Sequence, residues 1–184
     1  MNFKSLAIPD VKVFTPRIIQ DDRGYFMETF KVTTFNQAVG HEITFVQDNQ
    51  SFSKDIYTLR GLHYQSPPHA QGKLIRCTRG KILDVAVDAR KNSPHYGQHV
   101  KIELSADTAE QLWVPAGFLH GFATLAANTE VQYKCTAYYA HECDGNVMWD
   151  DPELAIDWGF EPHKAVISQR DAKACTFASF NSPF

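Results

Sequence analysis

Alternation with a period of two residues, repeated in short runs, constrains this chain more than any other feature. In the run from Lys81 to Asp88, Leu83, Val85 and Val87 fall on one face, while Asp84 and Asp88 share the other. Val100, Ile102 and Leu104 alternate with Lys101 and Glu103; Val131, Tyr133, Cys135, Ala137 and Tyr139 alternate with Gln132, Lys134, Thr136 and Tyr138. Between Phe45 and Gln50 the same spacing sets Gln47 and Asn49 on one side. Successive side chains of a strand point to opposite faces, so each run reads as a strand. Asp21-Asp22-Arg23-Gly24, Thr78-Arg79-Gly80 and Asn92-Ser93-Pro94 carry the turn residues that separate them. Short strands punctuated in this way predict an all-β fold, a jelly-roll sandwich or barrel with a few short helices. One helix is predicted over Thr33–Val39, capped by Thr33 or Thr34 and ended by Gly40. A second is predicted over Gln169–Ala174, because Ser168-Gln169-Arg170-Asp171 has the S-x-x-D form of a capping box. No repeat or linker interrupts the pattern, so residues 1–184 read as a single domain.

Several function classes are disfavoured at this stage. A net charge of −3 with no basic block argues against a nucleic-acid binder. No apolar run approaches the ~20 residues that cross a bilayer, and MNFKSLAIPDVKVF lacks the apolar centre of a signal peptide. Cys77, Cys135, Cys143 and Cys175 are scattered without a C-x-x-C pair, which suits reduced thiols in a cytoplasmic protein better than a disulfide framework or zinc site. The surplus of aromatic side chains suits a core and also a site that stacks on a flat ring.

The chemistry concentrates in residues 58–73. His63 offers an imidazole that titrates near neutrality, Arg60 a guanidinium and Lys73 an ammonium. A base, an anion clamp and a point charge are the parts needed to enolise a carbonyl compound that carries a phosphate. The residues alone leave open a structural histidine with solvated surface charges. Pro115-Ala116-Gly117-Phe118-Leu119-His120 resembles the second cupin motif, a tight turn delivering a histidine to the mouth of a β-barrel. Metal-binding cupins pair that histidine with an H-x-H element, but here the corresponding string is His63-Tyr64-Gln65, which argues against a metal site. Taken singly, His120 also reads as a buried turn histidine, Tyr133 as core, Asp171 as a helix cap, and Arg23 and Glu28 as surface charge.

Taken together, the strings DDRGYFMETF, FVQDNQSFS, LRGLHYQ, QGKLIRC, GKILDVAVDARKNSP, QLWVPAGFLHGF, EVQYKCTAYY, WDDPELAIDW and ISQRDA resemble, in order, the dTDP-4-dehydrorhamnose 3,5-epimerase family. The resemblance implies a cupin-type jelly roll and a substrate that is a dTDP-linked 4-keto-6-deoxyhexose, with no cofactor and no metal. It implies His63 as general base, Tyr133 as the acid on the opposite face, Asp171 as partner of the base, and Lys73 beside the keto oxygen. His120 is implied as a substrate contact, Arg60 as a diphosphate ligand, and Arg23, Phe26, Glu28, Gln47 and Asn49 as the nucleoside end. It also implies a homodimer whose N-terminal segments complete each other's sites. Two positions depart from the family's pattern: Asp144 stands near a usual glutamate, and Arg170 replaces a usual lysine. Alternative readings are an epimerase acting at one carbon, a 3,4-ketoisomerase of a related dTDP sugar, a metal-dependent cupin oxygenase, and a non-catalytic sugar-nucleotide binder.

Overall fold

The computed structural model describes residues 1–184. Thirteen strands and one α-helix follow one another: β1 (Asn2–Ser5), β2 (Lys12–Thr15), β3 (Ile18–Asp21), β4 (Gly24–Met27), α1 (Val32–Val39), β5 (Gln47–Ser53), β6 (Leu59–Gln65), β7 (Lys73–Arg79), β8 (Lys81–Asp88), β9 (His99–Ser105), β10 (Gln111–Val114), β11 (Phe118–Thr124), β12 (Thr129–Cys135) and β13 (Asp144–Asn146). They form two antiparallel sheets, ordered β1-β2-β10-β7-β12-β5 and β13-β6-β11-β8-β9, and a separate hairpin β3-β4. The order mixes distant strands within each sheet, as expected of the predicted jelly roll.

Three apolar layers hold the sheets. Between them lies a core that includes Val13, Ile75, Ile82, Ala86, Leu104, Leu112, Phe122 and Val131, all buried. The far face of the five-stranded sheet buries Leu59, Leu62, Val85, Val87 and Leu119 under Val147, Trp149, Leu154, Trp158 and Phe180 of the C-terminal segment. The alternation read in β8 therefore holds, but both of its faces are covered. Leu83, Val85 and Val87 meet the C-terminal segment, while Ile82, Asp84 and Ala86 look into the space between the sheets.

Against the far face of the six-stranded sheet, α1 seats Phe35 between Phe14 and Trp113 at ring distances of 5.2 and 5.1 Å. The helix begins earlier than predicted. Its N-cap is Lys31, with no side-chain hydrogen bond, and Thr33 and Thr34 lie inside its first turn. The buried aromatic contacts anchor it in place of a cap. Its end is as read: Gly40 takes the left-handed conformation at φ 83°, and its N–H reaches Asn36 O. Residues 169–174 do not make the predicted α-helix, only a 3-10 turn at Asp171–Lys173.

Candidate active site

A cavity of about 440 Å³ opens between the sheets, within the range usual for small-ligand sites. The five-stranded sheet contributes Arg60 and His63 from β6 and His120 and Phe122 from β11; the six-stranded sheet contributes Ser51, Lys73 and Tyr133. Val166, Ile167, Ser168, Arg170 and Asp171 close one side.

Arg60 and His63 are three residues apart, and in a regular strand they would face opposite ways. A β-bulge brings them together: His63 is opposite His120 and Arg60 opposite Phe122, so three steps along β6 match two along β11. Gly61 makes the bulge possible. Its φ is +144°, and a Cβ there would lie 2.5 Å from the Gly121 Cα.

His63 Nε2 lies 2.6 Å from Asp171 Oδ1, the histidine side chain 29% exposed and the aspartate 4%. Burial alone would raise the Asp171 pKa. The His63 hydrogen bond and charge, the Ser168 side chain and the Gly61 amide outweigh it and lower that pKa below the ordinary value. An ionised carboxylate only accepts, so Nε2 carries the hydrogen and Nδ1 is the nitrogen left with a lone pair. The S-x-x-D string is thus half of a capping box. Ser168 Oγ accepts from Asp171 N at 3.0 Å, but the aspartate side chain turns to His63 and takes no hydrogen bond from the Ser168 backbone N–H.

On the facing sheet, burial is the largest influence on Lys73 and pushes its pKa down; the Cys135 thiol and the carboxylates of Asp144 and Asp84 oppose this, and Arg170 adds to it. Burial raises the Tyr133 pKa, helped by Cys135, while the Arg60 charge and a hydrogen bond from Asn49 pull the other way. The phenol therefore keeps its proton throughout the neutral range and can act only as an acid there.

His120 sits in β11 itself, not in the turn before it, and its Nε2 lies 2.6 Å from Asp84 Oδ1. Asp84, which stands behind His120 and does not itself line the cavity, is a contact that the sequence reading missed. Only its inward register in β8, shared with the core residues Ile82 and Ala86, marks it out.

The remaining candidates divide into two groups. Arg60 reaches Phe52 O at 3.2 Å and forms part of the cavity wall. Gln47 donates to Asn49 Oδ1 at 3.0 Å, on the edge strand that pairs with β12. The two family departures meet each other: Arg170 Nη1 lies 2.7 Å from Asp144 Oδ2, which also accepts from the Tyr139 hydroxyl at 3.0 Å. Arg170 lines the cavity, and Asp144 stands behind it. Arg23, Phe26 and Glu28 are not brought to this cavity. Arg23 and Phe26 lie on or at the turn of the hairpin β3-β4, where Tyr25 and Phe26 are 64% and 69% exposed and Arg23 pairs with Asp21.

Comparison with known proteins gives one family over nearly the whole chain. Residues 5–179 match the family model for dTDP-4-dehydrorhamnose 3,5-epimerase. A protein of that name from Sinorhizobium fredii is 51% identical over 172 residues, covering 94% of this chain and 87% of the relative. A crystal structure of dTDP-6-deoxy-D-glucose-3,5-epimerase from Legionella pneumophila, in complex with dTDP-4-keto-L-rhamnose, superposes with a TM-score of 0.93 at 40% identity, covering 98% and 94% of the two chains. The 3'-monoepimerase ChmJ from Streptomyces bikiniensis, in complex with dTDP-quinovose, gives a TM-score of 0.87 at 32% identity over 95% and 87%.

Proposed function

The chain belongs to the dTDP-4-dehydrorhamnose 3,5-epimerase family, and on that premise we propose that it converts dTDP-4-dehydro-6-deoxy-D-glucose to dTDP-4-dehydro-L-rhamnose by inverting carbons 3 and 5. The observation that carries this reading is a cavity in which one sheet presents an oriented imidazole while the other presents a protonated phenol and a half-buried ammonium. The ketone at carbon 4 acidifies the hydrogens on both neighbouring carbons. Inversion then needs a base on one face, an acid on the other and charge stabilisation at the ketone oxygen, with no net redox change.

In this mechanism His63 Nδ1 takes the proton from carbon, and Asp171 holds the ring and stabilises the imidazolium that forms. Lys73 and His120 stabilise the enolate at the former ketone oxygen. Tyr133 delivers a proton from the opposite face. Arg60 holds the diphosphate, a task suited to a fork of charged donors. The Arg170–Asp144 pair lines the approach on the same side as Asp171. Gln47 and Asn49 meet the nucleoside together with Arg23, Phe26 and Glu28 of a second copy, whose exposed hairpin has aromatic surface to stack on thymine.

Incubation with dTDP-4-dehydro-6-deoxy-D-glucose in deuterated water, followed by NMR, is expected to show deuterium at both carbon 3 and carbon 5. Label at one carbon only identifies a single-position epimerase, and label at neither overturns the reading. The homodimer predicts a sedimenting species of twice the chain's 20.8 kDa; a 20.8 kDa species that is fully active overturns the shared site.

A further inference from the structure

Asp84 has no exposed surface, and only one of its oxygens is paired. Oδ1 lies 2.6 Å from His120 Nε2, while Oδ2 has no hydrogen-bond partner. Burying a carboxylate oxygen without a donor is costly, and such groups are rare. The fold does not demand one here. Ile82 and Ala86 flank Asp84 on the same face of β8 and pack into the apolar core, so an apolar side chain would satisfy that face.

Two further observations give Asp84 a task. His120 and His63 are direct register partners across β11 and β6, and each holds a carboxylate through Nε2 at 2.6 Å. Two imidazoles thus line the cavity, each held by a carboxylate, and the epimerase reading gives a task to only one of those carboxylates, Asp171. The charge of Asp84 also acts on Lys73, where it opposes the effect of burial on the ammonium.

We infer that Asp84 is the fixed counter-charge of the enolate site: a positioning residue that holds His120 by Nε2, so that Nδ1 is the ring nitrogen turned to the substrate, where as N–H it donates to the ketone oxygen, and that balances the Lys73 ammonium. The inference rests on the epimerase reading. It assigns to the protein an internal anion whose work is done through Lys73 and His120, the two groups given to the reacting oxygen. Neutralising it leaves the shape of the cavity intact but turns the His120 ring and weakens the positive field in which the enolate forms, so the effect falls on turnover and spares substrate affinity.

The test is Asp84→Asn, which keeps the shape and removes the charge. By analogy with losing an oxyanion donor or an orienting carboxylate, kcat is expected to fall by about 100-fold or more, with KM within about threefold. The ¹⁵N signals of the His120 ring should move while those of His63 stay. In a His120→Ala background the further loss should be less than about tenfold, because part of the effect travels through the missing ring. A kcat within about threefold of the natural enzyme, or a lower kcat with unmoved His120 signals, overturns the inference. Binding of dTDP reports whether the variant is folded. Should Asp84→Asn not fold, Asp84→Leu decides: a folded, dTDP-binding but slow enzyme supports the assignment, and a second unfolded variant shows that Asp84 serves the fold instead. Failure of the natural protein to exchange deuterium would sink the epimerase reading, while the His120 signals would still report on the Asp84 contact.

Discussion

His63→Ala is expected to abolish deuterium uptake at both carbon 3 and carbon 5, lowering turnover by about 10⁴-fold, the upper range for removal of a general base. The expectation that one residue serves both carbons follows from stereochemistry. On a glucose-configured ring the hydrogens of carbons 3 and 5 lie on the same face, so a single imidazole on one sheet can reach both in turn. Asp171 equips His63 for this. Its carboxylate, held ionised, fixes the hydrogen on Nε2 and leaves Nδ1 as the basic atom. The substitution is not expected to disturb folding greatly, because the side chain is partly exposed and its neighbours in β6 pack on the opposite face against the C-terminal segment. Binding of dTDP, measured by calorimetry, should therefore survive. Exchange retained at one carbon would assign that carbon's base elsewhere, with His120 the first alternative; exchange retained at both would remove His63 from the mechanism.

Much of this was legible in the sequence, and the exceptions have physical causes. Period-two patterning identified β8, β9 and β12 because each strand has at least one regularly apolar face. It does not reach places where local structure breaks the period. Arg60 and His63 share the cavity only because the Gly61 bulge adds a residue to β6, and a bulge leaves no mark in hydropathy. Asp84 escaped notice because an aspartate opposite Leu83 and Val85 carries the pattern of a solvated face; only the second sheet and the C-terminal cover turn both faces inward. Ser168-Gln169-Arg170-Asp171 reads as a helix start, but only a single 3-10 turn follows and the Asp171 carboxylate is turned to His63. The two departures from the family's pattern, Asp144 and Arg170, were separate puzzles 26 positions apart in sequence and become one ion pair in space.

Tyr133→Phe should separate the two halves of the reaction. Proton removal by His63 does not need the phenol, so deuterium should still enter, most clearly at carbon 3. Inversion at carbon 5, which needs a proton from the face opposite His63, should fall by about 10²- to 10³-fold, typical of losing a positioned acid. Tyr133 is suited to that task because it stands on β12, in the sheet facing the His63 strand, and burial keeps its proton in place over the neutral range. Phenylalanine preserves the ring that packs beside the central core, so the loss reports the hydroxyl and not a cavity. The measurement is a comparison, in one NMR time course, of label incorporation with the appearance of the inverted product. A phenylalanine enzyme in which exchange and inversion fall by the same factor would mean that Tyr133 acts in deprotonation or in binding, and that the returning proton comes from another group.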